Sequence, residues 1–345
     1  MKINIEPYTL EFKRPAGTSR GVLHTKNCWF IKIVDAQTGS FGVGEINMFK
    51  GLSYDDKPDF FDQLNELTGR SVDDLKDFHE NFKEFPSIRF GLEMALMDFQ
   101  NGGKKILFQN DFVKGETGIP INGLIWMGDM DFMKLQIKEK LRQGFTCLKM
   151  KIGALNFEQE LSVLKIIRKS YSAKDLELRV DANGAFNGLD ALSKLDQLSQ
   201  LQLHSIEQPI KQGQIEHMAN LCKKTPLPIA LDEELIGVLE KKQQQELLSY
   251  INPQYIILKP SLLGGFAASE DWIKLAENNH IAWWVTSALE SNVGLNAIAQ
   301  WTASLKTAAY QGLGTGQLYD NNISSPLEIR GEKLFYNPDL SWATF

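Results

Sequence analysis

The sequence predicts an α/β fold: a (β/α)8-type barrel preceded by a smaller α+β unit. Two observations predict it. From about residue 118, short apolar runs alternate with amphipathic stretches, eight runs in all. The first hundred or so residues instead read as hairpin followed by helix. The eight runs are "IPINGLIW", "TCLKMKIG", "LELRVDANG", "LHSIEQPI", "PIALDEEL", "YIILKPS", "IAWWVTSA" and "AAYQGLGTG". Helical patterns such as "NFEQELSVLKIIRKSY" and "GLDALSKLDQLSQLQ" separate them. An open doubly wound sheet shares this alternation, so the count of eight favours the closed barrel. A dinucleotide turn is not expected, because "GLGTGQL" comes late in the chain and lacks the GxGxxG spacing.

In the N-terminal part, "NCWFIKIVDA" and "SFGVGEI" flank the turn-rich "AQTGS" and predict a hairpin. "PSIRFGLEMALMDFQNGG" predicts a helix. Pro86 and Ser87 start it, Ile88, Leu92, Ala95, Leu96 and Phe99 form its apolar stripe, and Gly102 and Gly103 stop it. The polar "EKKQQQE" reads as a solvated helix face, and the last 25 or so residues follow the eighth run.

The bulk numbers narrow the function classes. The chain has 345 residues, 43% hydrophobic and 23% charged, ordinary for a globular protein and enough for one large barrel or two domains. A net charge of −6 argues against nucleic acid as a partner. No stretch approaches the roughly 20 apolar residues of a membrane span. The N-terminus has no apolar signal region and reads as a strand. Cys28, Cys147 and Cys222 lack metal spacing and are expected to be reduced thiols. A cytoplasmic protein is expected; its oligomeric state is not legible.

Charged residues recur late in successive runs, where a barrel builds its active site. Lys149 and Lys151 are two apart and share a face, with Leu148 and Met150 on the other. Asp181, Glu207 and Asp232 follow on the next three runs, 26 and then 25 residues apart, about one β/α unit each. Lys259 lies on the sixth run. A lone acid at a strand end is most often a helix cap or a loop ion pair. Three at unit spacing, with lysines on both sides, point to a hard divalent cation, Mg²⁺ first. A lysine beside such a cation is expected to have a lowered pKa and to serve as a general base for an α-proton. The opposite lysine and the cation would stabilise the resulting enediolate. Lys149 reads equally as a catalytic group or a structural partner of Asp181. Asn183 shares the Asp181 face and is expected to touch substrate or the carboxylates. His204 has the opposite parity from Glu207 and is expected against the helix layer. Trp283 and Trp284 read as core.

This constellation resembles the enolase superfamily, in its muconate-lactonising-enzyme-like branch, where a Lys or His base works with Mg²⁺. Further stretches are similar to the o-succinylbenzoate synthase family: "RPAGTSRGVL", "FGVGEI", "SIRFGLEMAL", "INGLIWMG", "ILKPSLLGG", "TSALESNVGLNA" and "GLGTGQL". The resemblance implies a modified (β/α)8 barrel at 113–319 with an N-terminal α+β capping domain at 1–112, to which the tail 320–345 returns. It implies Mg²⁺, with Mn²⁺ as a substitute, held by Asp181, Glu207 and Asp232. It implies a small carboxylate substrate, 2-succinyl-6-hydroxy-2,4-cyclohexadiene-1-carboxylate, dehydrated to o-succinylbenzoate in menaquinone biosynthesis. Lys151 would be the base, Lys259 would stabilise the enediolate, and Lys149 would assist electrostatically.

For substrate binding the resemblance points to Thr18 and Arg20 in "RPAGTSRG" and Ser53 in "MFKGLS". Ser287 in "TSALES" and the backbone N–H groups of "GLGTG", beginning at Gly312, are the candidates for the succinyl chain. Racemisation of N-acylamino acids or epimerisation of dipeptides is the alternative on the same scaffold. The missing Asp-x-Asp pair after the eighth run speaks against the epimerase. In "LDEEL", Glu234 replaces the small residue of the commoner "DES" ending, and nothing in the sequence explains it. A binding protein without activity would be expected to lose a ligand or a lysine; none is missing.

Overall fold

The structure, a computed structural model, describes residues 1–18 and 21–343. Its N-terminal unit is a three-stranded antiparallel sheet. β1 (Lys2–Thr18) pairs with β2 (Gly21–Val34) from Lys2↔Val34 to Thr18↔Gly21. β3 (Phe41–Ile46) pairs along β2 from Val34↔Phe41 to Trp29↔Ile46, the hairpin expected around "AQTGS". The helix Pro86–Gln100 packs on β3, with Ile88, Leu92 and Ala95 fully buried. Glycine makes this contact possible. A Cβ on Gly42 would lie 2.3 Å from the Ala95 carbonyl oxygen, and one on Gly44 2.0 Å from that of Gly91. Buried Asp98 then accepts from the Val43 N–H at 2.9 Å.

Glu93 joins this helix to the barrel. Its carboxylate accepts from the backbone N–H groups of Phe266 at 2.6 Å and Ala267 at 3.2 Å, at the start of the helix Phe266–Asn278. Burial pushes the Glu93 carboxyl up to about 7, against the opposing pull of these N–H groups and Arg89. A raised acid means that the folded chain binds the extra proton between the ordinary Glu value and about 7. Stability therefore falls as pH rises through that window. Between pH 4 and pH 8, wild type is expected to lose about 3 kcal/mol relative to Glu93→Gln. Denaturant unfolding of both proteins at a series of pH values checks this; a difference that does not change with pH would refute it.

The barrel sheet has seven parallel strands among the described residues, in the order of the chain: β5 (Gly123–Ile125), β6 (Cys147–Lys151), β7 (Glu177–Asp181), β8 (Ser205–Glu207), β9 (Ile229–Leu231), β10 (Tyr255–Leu258) and β11 (Ala282–Val285). Helices follow the strands, and Leu148, Met150, Leu178 and Val180 bury themselves in the main core. Two runs differ from expectation. The first splits into β4 (Ile119–Pro120) and β5, because Ile119 and Pro120 pair away from the barrel. The eighth forms no strand. Gln311 and Gly312 close the ring with single parallel bridges to Ile121 and Thr286. A Cβ on Gly312 would lie 2.5 Å from Thr286 Oγ1, so the ring closes by an approach that a side chain at this position would block.

The barrel floor holds a small apolar cluster of Ala230, Ile257 and Trp284. The Arg179 guanidinium sits over the Trp284 ring at 4.4 Å. The His204 ring packs tilted against Tyr255 at 4.9 Å and edge-on to Trp284 at 6.0 Å, and so faces this floor, not the helix layer. β8 begins only at Ser205, so strand alternation does not extend back to His204. Trp283 packs partly buried against the main core.

The C-terminal segment touches both units. The Asp320 N–H bonds the Glu11 carbonyl and the Lys13 N–H that of Leu318, both at 2.9 Å, along β1. β12 (Leu327–Arg330) and β13 (Lys333–Tyr336) form a hairpin that pairs with β4. The helix Lys241–Ile251, which holds the polar run, buries Leu248 and Ile251 and exposes most of its other face. No helix among the described residues is long and apolar enough to cross a membrane.

Candidate active site

Strand register assembles the site. Lys151 pairs with Asp181, and Asp181 with Glu207, so these three reach one level at the C-terminal ends of β6, β7 and β8. Glu207 pairs with Ala230, and Asp232 stands two residues further on, just past the end of β9. All three carboxylates are at most 2% exposed. The Lys149 ammonium lies 3.0 Å from Asp181 Oδ2 and also donates to Glu207 Oε2. Lys151 Nζ lies 2.9 Å from the same Asp181 oxygen and 2.7 Å from Asn183 Oδ1. Lys259 donates to Asp232 Oδ2 from the opposite arm of the sheet.

These groups shift one another strongly. Burial works against ionised Asp181, but Lys149, Lys151 and Lys259 outweigh it and hold the carboxyl below the usual carboxylate range. Burial and the neighbouring Asp181 charge push Glu207 well up. Burial alone would lower Lys149, but Asp181 and Glu207 raise it; Asp232 and Glu207 likewise raise Lys259 over its burial. The lowering expected for lysines beside a dication is thus opposite to what the carboxylates alone impose on Lys149 and Lys259.

The donor set bears on a metal. Among the described residues, no three His, Cys, Asp or Glu side chains converge on one point; each of the three carboxylates gives an oxygen to a lysine instead. Yet Glu207 Oε1 is buried without a hydrogen-bond partner, beside two further carboxylates. Three hard oxygen donors on adjacent strands, one left unsatisfied, suit a hard divalent cation.

The strand ends are braced. Asn183 (φ 42°) and Gln208 (φ 38°) leave β7 and β8 in the left-handed region, uncommon for non-glycine residues. Asn183 accepts from Lys151 and donates to Glu233 Oε1 at 3.0 Å. The Gln208 amide donates to Glu234 Oε2 at 2.9 Å, and its carbonyl accepts from the Asp232 N–H at 3.2 Å. Glu234 also accepts from the Gly213 N–H at 2.8 Å. This accounts for a glutamate where the family commonly has a small residue: Glu234 ties the end of β9 to the loop after β8.

A cavity opens above these groups. Lys149, Lys151, Asp181, Asn183 and Lys259 form its polar floor. Leu124, Trp126 and Leu289 from the barrel, and Phe49 and Leu52 from the N-terminal unit, form apolar walls. Those wall residues were missed in the sequence, although Leu124 and Trp126 follow the strand-end rule. Of the expected substrate contacts, Ser287 lines the cavity, its Oγ 2.6 Å from Thr315 Oγ1. Gly312 also lines it, but its N–H bonds the Val285 carbonyl at 2.8 Å and is not free for a ligand. Ser53 is not brought to the cavity. Its hydroxyl accepts from the Phe49 N–H at 2.8 Å and closes the turn that presents Phe49 and Leu52. Thr18 ends β1, and Arg20 lies outside the described residues.

Comparison with known proteins follows the same lines. Residues 133–336 match the family model "Enolase C-terminal domain-like". The chain is 48% identical over 363 residues to the o-succinylbenzoate synthase of Desulfotalea psychrophila, covering 96% of this chain and 98% of that one. The crystal structure of MenC from Desulfotalea psychrophila LSv54 superposes with a TM-score of 0.85 at 43% identity, over 97% of this chain and 99% of that one. The L-Ala-D/L-Glu epimerase of Bacillus subtilis, in a substrate-liganded complex, shares the fold with a TM-score of 0.81 at 18% identity, over 99% and 98% of the two chains. The family model spans more than half of the chain, over the strands that carry both lysine arms and all three carboxylates, and this chain belongs to the enolase C-terminal domain-like family.

Proposed function

We propose that this protein is an o-succinylbenzoate synthase, a lyase of menaquinone biosynthesis that dehydrates 2-succinyl-6-hydroxy-2,4-cyclohexadiene-1-carboxylate. An identity of 48% to a synthase over 96% of this chain supports the activity. One observation carries the assignment of roles. Lys151 on the second barrel strand and Lys259 after the sixth, half the ring apart, reach one cavity, each anchored on a different carboxylate.

Asp181, Glu207 and Asp232 hold Mg²⁺, which when bound supplies Lewis-acid stabilisation to the carboxylate beside the reacting carbon. Lys151 removes the proton α to the ring carboxylate, and the electron pair passes into an enediolate. The pair then returns to form the ring double bond, the C–O bond to the hydroxyl breaks, and Lys151 returns its proton to the leaving oxygen. Water departs from the face the proton left, a syn elimination, and aromatisation drives it. Lys259 stabilises the enediolate charge from the other face. Lys149 holds Asp181 and Glu207 in place. Asn183 orients the Lys151 ammonium, and Phe49, Leu52 and Trp126 exclude water. We place the reaction in the cytoplasm, in keeping with three buried thiols that form no disulfide.

An ultraviolet assay tests the reading. Purified protein with Mg²⁺ is expected to consume the diene absorbance, and EDTA to stop it. No turnover with Mg²⁺ present would sink the synthase reading. N-succinyl amino acids and dipeptides would then be assayed for racemisation, since two opposed lysines also suit two-base chemistry.

A further inference from the structure

A second buried polar cluster lies between the N-terminal sheet and the barrel, outside the chemistry above. Lys26, Glu45, Asn47, Ser261, Glu290 and Ser291 are each at most 6% exposed. Lys26 Nζ donates to Asn47 Oδ1. The Asn47 amide nitrogen faces Glu290 Oε1 at 3.1 Å, the Ala288 carbonyl at 3.1 Å and Ser261 Oγ at 3.2 Å. Ser261 donates its hydroxyl to Glu290 Oε1 at 2.5 Å, and the Ala288 N–H donates to Glu290 Oε2 at 2.7 Å. Glu45 accepts from the Ser291 and Gly294 N–H groups, both at 2.9 Å.

The cluster is placed where three segments of the cavity wall meet. Asn47 stands two residues before Phe49, in the loop that also carries Leu52. Ser261 stands two residues after Lys259. Ala288 and Leu289 line the cavity directly. Leu289 has φ 62°, a left-handed backbone that a leucine rarely adopts, and such strain persists only where the surroundings hold it. Here the Tyr319 hydroxyl grips its carbonyl at 2.8 Å, while Glu290 and Asn47 grip both backbone groups of Ala288.

We propose that Asn47 and Glu290 are positioning residues. They lock the Phe49–Leu52 loop, the Lys259 turn and the strained 287–291 segment into one wall, so that the N-terminal unit sets the fit of the substrate through a buried contact it makes with the barrel. The kinetic readout rests on the synthase reading; the exchange readout does not.

The test uses the full chain with Mg²⁺ and the hydroxycyclohexadiene carboxylate. It compares wild type, Asn47→Ala, Glu290→Gln and the double variant, with backbone hydrogen exchange followed at 286–291. Each single variant is expected to lose about tenfold or more in kcat/KM, chiefly through KM, and the double to lose no more than the worse single. Exchange at 286–291 is expected to rise in Asn47→Ala, although Asn47 belongs to the other unit. Losses that multiply in the double variant, a lowered melting temperature with wild-type KM and kcat, or unchanged exchange at 286–291 would each overturn the proposal. If Asn47→Ala does not fold, Ser261→Ala removes a single hydroxyl from the same cluster and is read by the same exchange. A wild-type protein without turnover would count against the synthase reading and leave the exchange test standing.

Discussion

Lys151→Ala is expected to lose dehydration by about 10³-fold or more while remaining folded. The fold survives because Lys151 is the expendable partner of Asp181. Lys149 stays 3.0 Å from the same oxygen, and the Asn183 N–H still bonds Asp181 Oδ1 at 2.9 Å. Activity does not survive, because Lys151 is the proposed base, and its amine faces the cavity from β6. Lys151→Arg retains the charge and the ion pair, but a guanidinium does not give up its proton near neutral pH. It is therefore expected to be as inactive as the alanine variant. Steady-state assay with circular dichroism as the folding control checks both. Near-normal dehydration by either would remove Lys151 from the role of base.

Asp181→Asn is expected to have the largest combined effect. Asp181 is fully buried and accepts from two ammonium groups. Its neutral replacement leaves Lys151 with the Asn183 carbonyl and Lys149 with Glu207 alone. Breaking a buried ion pair on one side costs about 3–5 kcal/mol. The two lysines' remaining partners place the expectation at the lower end, about 3 kcal/mol. The same change removes one of the three proposed metal ligands, so calorimetric titration with Mg²⁺ is expected to give no heat at concentrations that saturate wild type. Dehydration is expected to fall by about 10³-fold or more. A folded variant with wild-type Mg²⁺ affinity would exclude Asp181 as a ligand.

Much of the candidate site was legible because strands impose strict rules. A period of two puts Lys149 and Lys151 on one face, and β/α spacing brings Asp181, Glu207 and Asp232 to neighbouring strand ends. Loops obey no such period. Ser53 belongs to the loop that reaches the cavity, yet its hydroxyl turns inward to the Phe49 N–H and leaves the apolar Phe49 and Leu52 to face the substrate space. Gly312 lines the cavity, but ring closure consumes the N–H expected to meet the substrate. His204 precedes β8, so the parity of that strand does not set its side, and its ring meets Tyr255 and Trp284 instead of the helix layer. Glu234, inexplicable in one dimension, is explained by partners 26 and 21 residues earlier in the chain.

By itself, the sequence determined the barrel with its separate N-terminal unit and the set of charged residues at the strand ends. Periodic burial and β/α spacing are local consequences of backbone geometry and need no knowledge of distant contacts. Only the tertiary structure decided how the ring closes, which loop side chains face the cavity, and how Asn47 meets Glu290 across 243 residues of chain. Those outcomes depend on hydrogen bonds and close approaches between segments far apart in sequence, which no local pattern encodes.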